Sequence, residues 1–235
     1  MAVLTKERLK VLKELEKKLK VRFKDRSLLN LALTHISYSN ERKEFLVNNE
    51  RLEFLGDSVL ALVLNEHIYK RYPFSPEGDL AKMKSFLVSS EVLARIGQRL
   101  EMGQYLLLGK GEEATHGRKK LSLVANAVEA IIGAVYMDQG LAKSRTFVMQ
   151  ELSGEIREVT HSQYKDFKTK LQEVMQRRFR CAPRYRVLKE TGPAHRRTFE
   201  VGVQHKGNIL GSGTGASKKE AEQAAAKEAL TALER

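Results

Sequence analysis

A single cysteine, Cys181, stands in 235 residues. It can form no intramolecular disulfide and no zinc site of several thiolates, so a reducing compartment, the cytoplasm, suits the chain. Long apolar runs are missing too. None approaches the roughly 20 residues that a spanning helix needs, and Met1 to Lys24 carry a charge every few residues, unlike the apolar stretch of a secretory signal. No membrane partner is expected. Repeats and low-complexity tracts are absent. The six histidines are scattered, with no pair at metal-ligand spacing around an acid, and no Ser-His-Asp arrangement can be argued around Ser58.

What the chain has in excess is positive charge. Lys and Arg number 42 against 29 Asp and Glu, a formal net charge of +13 and a pI near 9.8. Such an excess favours a polyanionic partner, nucleic acid above all. The charge is unevenly shared: residues 163–235 hold sixteen Lys and Arg against eight Asp and Glu, a net of +8, which leaves +5 for the longer part before them.

Apolar spacing divides the chain in the same place. Up to about residue 158 it is helical, with amphipathic segments at Lys6 to Lys20, from Ser27 to Leu33, and from Glu50 to Tyr72. Ser75-Pro76 reads as the N-cap and first turn of a helix carrying Leu80, Met83, Phe86 and Leu87. Residues 121–138 form a strongly apolar helix that Gln139-Gly140 closes. At 159–163 the periodicity lapses into a polar linker. Beyond it, Tyr164 to Arg180 and Ser217 to Glu234 read as helices. Between them lie three short strands, Arg184 to Lys189, Arg197 to Gln204 and Asn208 to Ser212, with turns at Gly192-Pro193 and Lys206-Gly207. The expected architecture is an all-α domain over 1–158 and a small α+β domain, α-β-β-β-α, over 164–235. Gly211, Gly213 and Gly215 read as a loop before the last helix, without the Gly-Lys-Ser/Thr ending of a nucleotide-binding loop.

The chemistry concentrates in Asn49-Glu50-Arg51-Leu52-Glu53-Phe54-Leu55-Gly56-Asp57-Ser58-Val59-Leu60. Acids spaced by three, four and seven place Glu50, Glu53 and Asp57 on one helical face. Gly56 costs about 1 kcal/mol relative to Ala inside a helix, which suggests that something approaches the backbone closely. The apolar helix at 121–138 adds Glu129, with Asn126 one turn earlier. Packed together, the two helices would bring Glu53, Asp57, Asn126 and Glu129 into an oxygen-rich cluster of the kind that hard cations such as magnesium prefer. The alternative is ordinary ion pairing of these acids with Arg51, Lys82 or Lys84. Spacing alone leaves both open.

Those twelve residues resemble the signature stretch of the ribonuclease III family. Leu33-Thr34-His35-Ile36-Ser37-Tyr38 and Val128-Glu129-Ala130-Ile131-Ile132-Gly133-Ala134 are also similar to it, and the likeness covers almost the whole chain. The resemblance implies a helical endonuclease domain that acts on double-stranded RNA, leaving 5′-phosphate and 3′-hydroxyl ends. It implies processing of ribosomal RNA precursors and some messenger and transfer RNA precursors. It further implies a homodimer with Phe54 at the contact, and magnesium as cofactor with manganese as a substitute. By position, Glu53, Asp57, Asn126 and Glu129 would hold metal, Asp57 and Glu129 would be catalytic, and Glu50 and Glu77 would be supporting acids. The family usually has an acid where this chain has Asn126. An amide oxygen still coordinates a hard metal but adds no charge, and a non-catalytic duplex-RNA binder is the competing reading.

The C-terminal segment resembles a double-stranded-RNA-binding domain in three stretches: Asp166 to Glu173, Gly192 to His195, and Ala216 to Glu222. By that likeness Thr169 and Gln172 meet one minor groove, Pro193, Ala194 and His195 the next, and Lys218 and Lys219 the phosphates between. Independently of it, Ser217 and Glu220 have capping-box spacing. Two lysines in the first turn oppose the helix dipole unless an anion lies against that end.

Overall fold

The computed structural model describes residues 4–42, 48–73, 75–162, 167–193 and 197–233, with the backbone alone at 158–162. It divides into two compact units, Met1–Glu158 and Val159–Arg235.

The first unit is helical among its described residues. Its elements are α1 (Lys6–Leu19), α2 (Arg26–Ala32), α3 (Ile36–Glu41), α4 (Glu50–Arg71), α5 (Glu77–Leu87), α6 (Ser90–Arg99), α7 (Lys110–Ala114), α8 (Leu121–Glu151) and α9 (Ser153–Ser162), with 3-10 turns at Met102–Tyr105 and Gly117–Lys119. Helix α8 is the axis of the core. Val124, Ala127, Val128, Ile131, Ile132 and Val135 are buried, and α4 and α6 pack on it. By length and composition α8 could cross a membrane, but most of its apolar residues face the interior of this unit.

Gly140 breaks α8 at φ 78°, a conformation that costs glycine nothing. The helix expected to close there resumes at once, and the Ser144 hydroxyl donates to the Gly140 carbonyl at 3.0 Å. Just before the break, the Asp138 carboxylate accepts the Lys24 and Asp25 amides, both at 2.8 Å, and so ties the start of α2 to α8. Helix α5 starts one residue later than Ser75-Pro76 suggests. The Ser75 amide already donates to the Tyr72 carbonyl at 3.2 Å, and Pro76 takes the N-cap position, accepting from Asp79 at 2.9 Å. The polar stretch expected as a linker is helical up to Ser162.

The second unit runs α10 (Phe167–Phe179), β1 (Arg184–Thr191), β2 (Thr198–His205), β3 (Asn208–Gly215) and α11 (Lys218–Leu233). The sheet is antiparallel in the order β1-β2-β3. Lys206 and Gly207, both at positive φ, make the tight β2–β3 turn. Leu171, Met175, Val203, Ala225, Ala226, Ala229 and Leu230 form its core.

Gly211, Gly213 and Gly215 are not a loop but part of β3. A Cβ on Gly213 would lie 2.2 Å from the Ala225 nitrogen, and one on Gly211 2.4 Å from that of Ala229. The glycines let α11 lie directly on the strand.

Candidate active site

Helix α4 is set by the residues before it. The Asn49 amide donates to the Thr34 carbonyl at 2.8 Å, and the Asn49 carbonyl receives the Glu53 amide at 2.8 Å. The Asn48 side chain accepts from the Glu50 amide at 3.1 Å and donates to the Glu50 carboxylate at 3.3 Å. Asn48 therefore orients Glu50, a role that sequence reading missed. An Asn pair ahead of a helix is the signal that would have found it.

From this start α4 presents Glu50 and Asp57 to solvent and keeps Glu53 half-buried; Asn126 and Glu129 of α8 are half-buried as well. Gly56 is where the helices meet. A Cβ there would lie 1.8 Å from the Glu129 carbonyl oxygen, so the close approach expected at Gly56 is made by the backbone of the residue carrying the partner acid.

The carboxylates sense one another. Burial pushes Glu129 up to about 7, and the charges of Asp57 and Glu53 push the same way. Glu53 is also raised, first by burial and then by Glu50, while a hydrogen bond from Asn126 opposes both. Asn126 thus acts here as a donor to Glu53 as well as offering an oxygen. Among the described residues, Glu53, Asp57 and Glu129 form no ion pair. The alternative partner Lys82 lies instead 3.9 Å from Asp79.

Uncompensated, partly desolvated carboxylates of this kind suit a hard cation. Among the described residues no three His, Cys, Asp or Glu side chains converge into a ready cage. Magnesium does not require one, since it keeps several waters and takes phosphate oxygens beside one or two carboxylates.

Glu77 is placed elsewhere. Exposed at the start of α5, it lines a groove of about 540 Å³ with Leu62, Glu66, Tyr69 and Lys84. The residues of α4 that line this groove, Leu62 to Tyr69, lie roughly 8–18 Å along the helix from Asp57. Phe54 projects from α4 with 78 % of its surface exposed, and Leu62 and Tyr69 extend an exposed apolar stripe along the same helix.

In the second unit Ser217 caps α11. Its hydroxyl accepts the Glu220 amide at 3.2 Å, and the Glu220 carboxylate accepts from Ala216 at 2.9 Å. Lys218 and Lys219 are exposed at that end, as is Pro193 in its turn. Gln172 is half-buried. Thr169 is only 9 % exposed, which leaves little of its side chain for a groove contact. Ala194 and His195 lie outside the described residues.

A family model described as Ribonuclease-III-like matches residues 25–156. A second, described as Double-stranded RNA binding motif, matches 167–233. The chain is 46 % identical to Ribonuclease 3 of Bacillus licheniformis over 224 residues, 95 % of this chain and 90 % of that one. It is 43 % identical to Ribonuclease 3 of Borreliella burgdorferi over 232 residues, 98 % and 95 % of the two. Among solved structures, the nuclease domain of ribonuclease III from Campylobacter jejuni is similar at a TM-score of 0.58 and 38 % identity, covering 62 % of this chain and 99 % of that one.

Proposed function

The chain belongs to the ribonuclease III family of metal-dependent nucleases and is a double-stranded-RNA endoribonuclease, and from that premise we propose how its own residues carry the reaction. Glu53, Asp57 and Glu129 hold magnesium, with manganese as a substitute, and the Asn126 amide completes the set. The observation that supports this is a group of carboxylates from two touching helices, none of them ion-paired among the described residues and one with its pKa pushed up to about 7.

Held by these residues, a cation would supply polarisation of the scissile phosphate and a lower pKa for the attacking water. The residues supply the rest. Asp57 and Glu129 fix the reacting centre from opposite helices. Glu129 would hold the cation as a carboxylate. The Asn126 amide holds Glu53 by its hydrogen bond, and Asn48 holds Glu50 at the edge of the site. Lys218, Lys219, Gln172 and Pro193 face the duplex from the second unit, which by its chemistry reads A-form shape rather than sequence. The products carry 5′-phosphate and 3′-hydroxyl ends, and the substrates include precursors of ribosomal RNA and some messenger and transfer RNAs. A cytoplasmic location fits these substrates and the single cysteine.

The exposed stripe of Phe54, Leu62 and Tyr69 supports a two-fold dimer that offers one site to each strand. The solved Campylobacter jejuni domain has, by its description, a region involved in dimer formation. Glu77, in one groove with Leu62 and Tyr69 of that stripe, then serves at the dimer groove. Phe54→Ala should raise the dimer dissociation constant by roughly tenfold or more, read by sedimentation across a dilution series. A dimer that survives dilution unchanged would remove Phe54 from the contact.

The test of the site itself is Asn126→Asp, assayed with a labelled duplex across a magnesium titration. An added carboxylate strengthens cation binding, so half-saturation should fall several-fold. The same change removes the amide donor to Glu53 and sets a like charge beside it. The metal-free protein should therefore melt earlier. An unmoved magnesium curve would exclude Asn126 from the metal's surroundings. If the unaltered chain never cuts and only the Asp variant does, the chain is a non-catalytic duplex binder, the reading that Asn126 favours.

A further inference from the structure

We propose that Gly133 is a positioning residue of the hydrolytic centre: with Gly56 it holds α4 and α8 at backbone contact, and that contact fixes how far Asp57 stands from Glu129. The inference rests on the metal-dependent reading above and adds to it a residue that bears no donor group.

The two glycines act reciprocally. A Cβ on Gly56 would meet the Glu129 carbonyl oxygen at 1.8 Å and its carbon at 2.6 Å. One on Gly133 would meet the Leu52 carbonyl oxygen at 2.2 Å, its carbon at 3.1 Å and the Gly56 nitrogen at 3.2 Å. Gly133 lies one turn beyond Glu129, and Leu52 lies one turn before Gly56. Both glycines are buried.

The obstacles are backbone atoms within helices, so no rotamer change relieves them. A methyl group at Gly133 has to move one helix away by about 1 Å to reach ordinary contact. The residues at the crossing are also the ones tied to the acids. Asp57 follows Gly56 in the chain, Glu53 follows Leu52, and Glu129 itself supplies the carbonyl under Gly56. Any separation of the helices here is therefore transmitted to the carboxylates. Displacements of this size at a reacting centre are costly.

Gly97 provides the contrast. It presses α6 on the same helix, but a Cβ there would first meet the Val124 side chain, at 2.3 Å, and only then Val128 and the Val124 carbonyl, beyond 3 Å. There the first obstacle is a side chain and not the backbone of an acid-bearing residue.

The experiment compares Gly133→Ala and Gly97→Ala in the full chain. The readouts are cleavage against magnesium concentration and, without RNA, the rise in melting temperature that magnesium produces. Gly133→Ala should need about tenfold more magnesium, or still more, and should gain less melting temperature from it. Gly97→Ala, whatever its metal-free stability, should keep the magnesium dependence of the unaltered chain. Asp57→Glu, one methylene longer, should weaken the magnesium-induced rise in the unaltered chain but partly restore it beside Gly133→Ala.

Equal magnesium dependence in Gly133→Ala and the unaltered chain overturns the proposal. So does an equal shift in Gly97→Ala, or an effect of Asp57→Glu that is the same in both backgrounds. Should Gly133→Ala fail to fold, Asp57→Glu in the unaltered chain gives the second reading. A fixed helix spacing leaves no room for a longer acid, so the magnesium-induced rise in melting temperature must weaken; an unweakened rise refutes the fixed spacing. An unaltered chain that never cuts would defeat the functional reading separately, because the melting shifts are read without RNA.

Discussion

Glu129→Gln is expected to cut turnover on duplex RNA by at least about a thousandfold while leaving duplex binding nearly intact. The amide keeps the shape and one oxygen but removes the charge that a cation recruits. On the proposed contacts duplex affinity comes from phosphates met elsewhere, so a gel-shift titration should barely move. Loss of binding in step with turnover would mean that Glu129 supports the fold rather than the reaction.

The same variant has a second signature, in the absence of metal. Folded Glu129 keeps its proton to about pH 7, against the ordinary value of 4.5. Between those values the unfolded chain binds fewer protons than the folded one, so this residue makes stability fall as pH rises through that window. Below 4.5 both states are protonated, and above 7 both are ionised, so the contribution levels off at either end. Gln cannot ionise. Melting curves with a chelator should show the variant gaining on the unaltered chain from pH 4.5 to 7 and holding that gain above. A constant difference across the range would contradict a raised Glu129.

Removing residues 163–235 should weaken duplex binding by about a hundredfold or more at physiological salt, while slow cutting persists at low salt. That segment carries a net charge of +8, including Lys218 and Lys219 at the capped end of α11. A phosphate that no lysine or arginine neutralises keeps its condensed counterions, so the salt dependence should flatten as affinity falls. The acids all lie in the first unit, whose counterpart from Campylobacter jejuni has been solved as a separate nuclease domain. Abolished cutting at every salt concentration, by a first unit that remains folded, would show that the second unit takes part in the chemistry.

The helical placement of the candidate acids is legible because it is local. Spacing alone put Glu50, Glu53 and Asp57 on one face and Asn126 beside Glu129, and α4 and α8 present them so. What spacing could not supply is the distance between the two helices. Gly56 announced a close approach, but Gly133 looked like one more small residue in an apolar run, and only the crossing reveals its counterpart in Leu52.

The misread glycines of β3 have a similar origin. Three glycines in five residues carry the composition of a loop, and the helix that makes them a strand lies further along the chain. Thr169 fits a groove contact by position, yet burial depends on what packs over α10, which no local pattern records. Sequence alone offers the Asn126 amide as an oxygen ligand; its hydrogen bond to Glu53 depends on a residue of the other helix.

The glycine strand also bears on vectorial synthesis. A strand of this composition has little tendency to hold its extended form unaided, and its inner face rests on Ala225 and Ala229 of α11. As the chain emerges from the ribosome, the helices of the first unit have all left before β3 appears, and they can fold by themselves. The second unit cannot close its sheet until α11 has followed. Chains truncated between Gly215 and Ala225 would therefore carry an open hairpin behind the nuclease unit, and duplex recognition by the second unit would arrive only with α11.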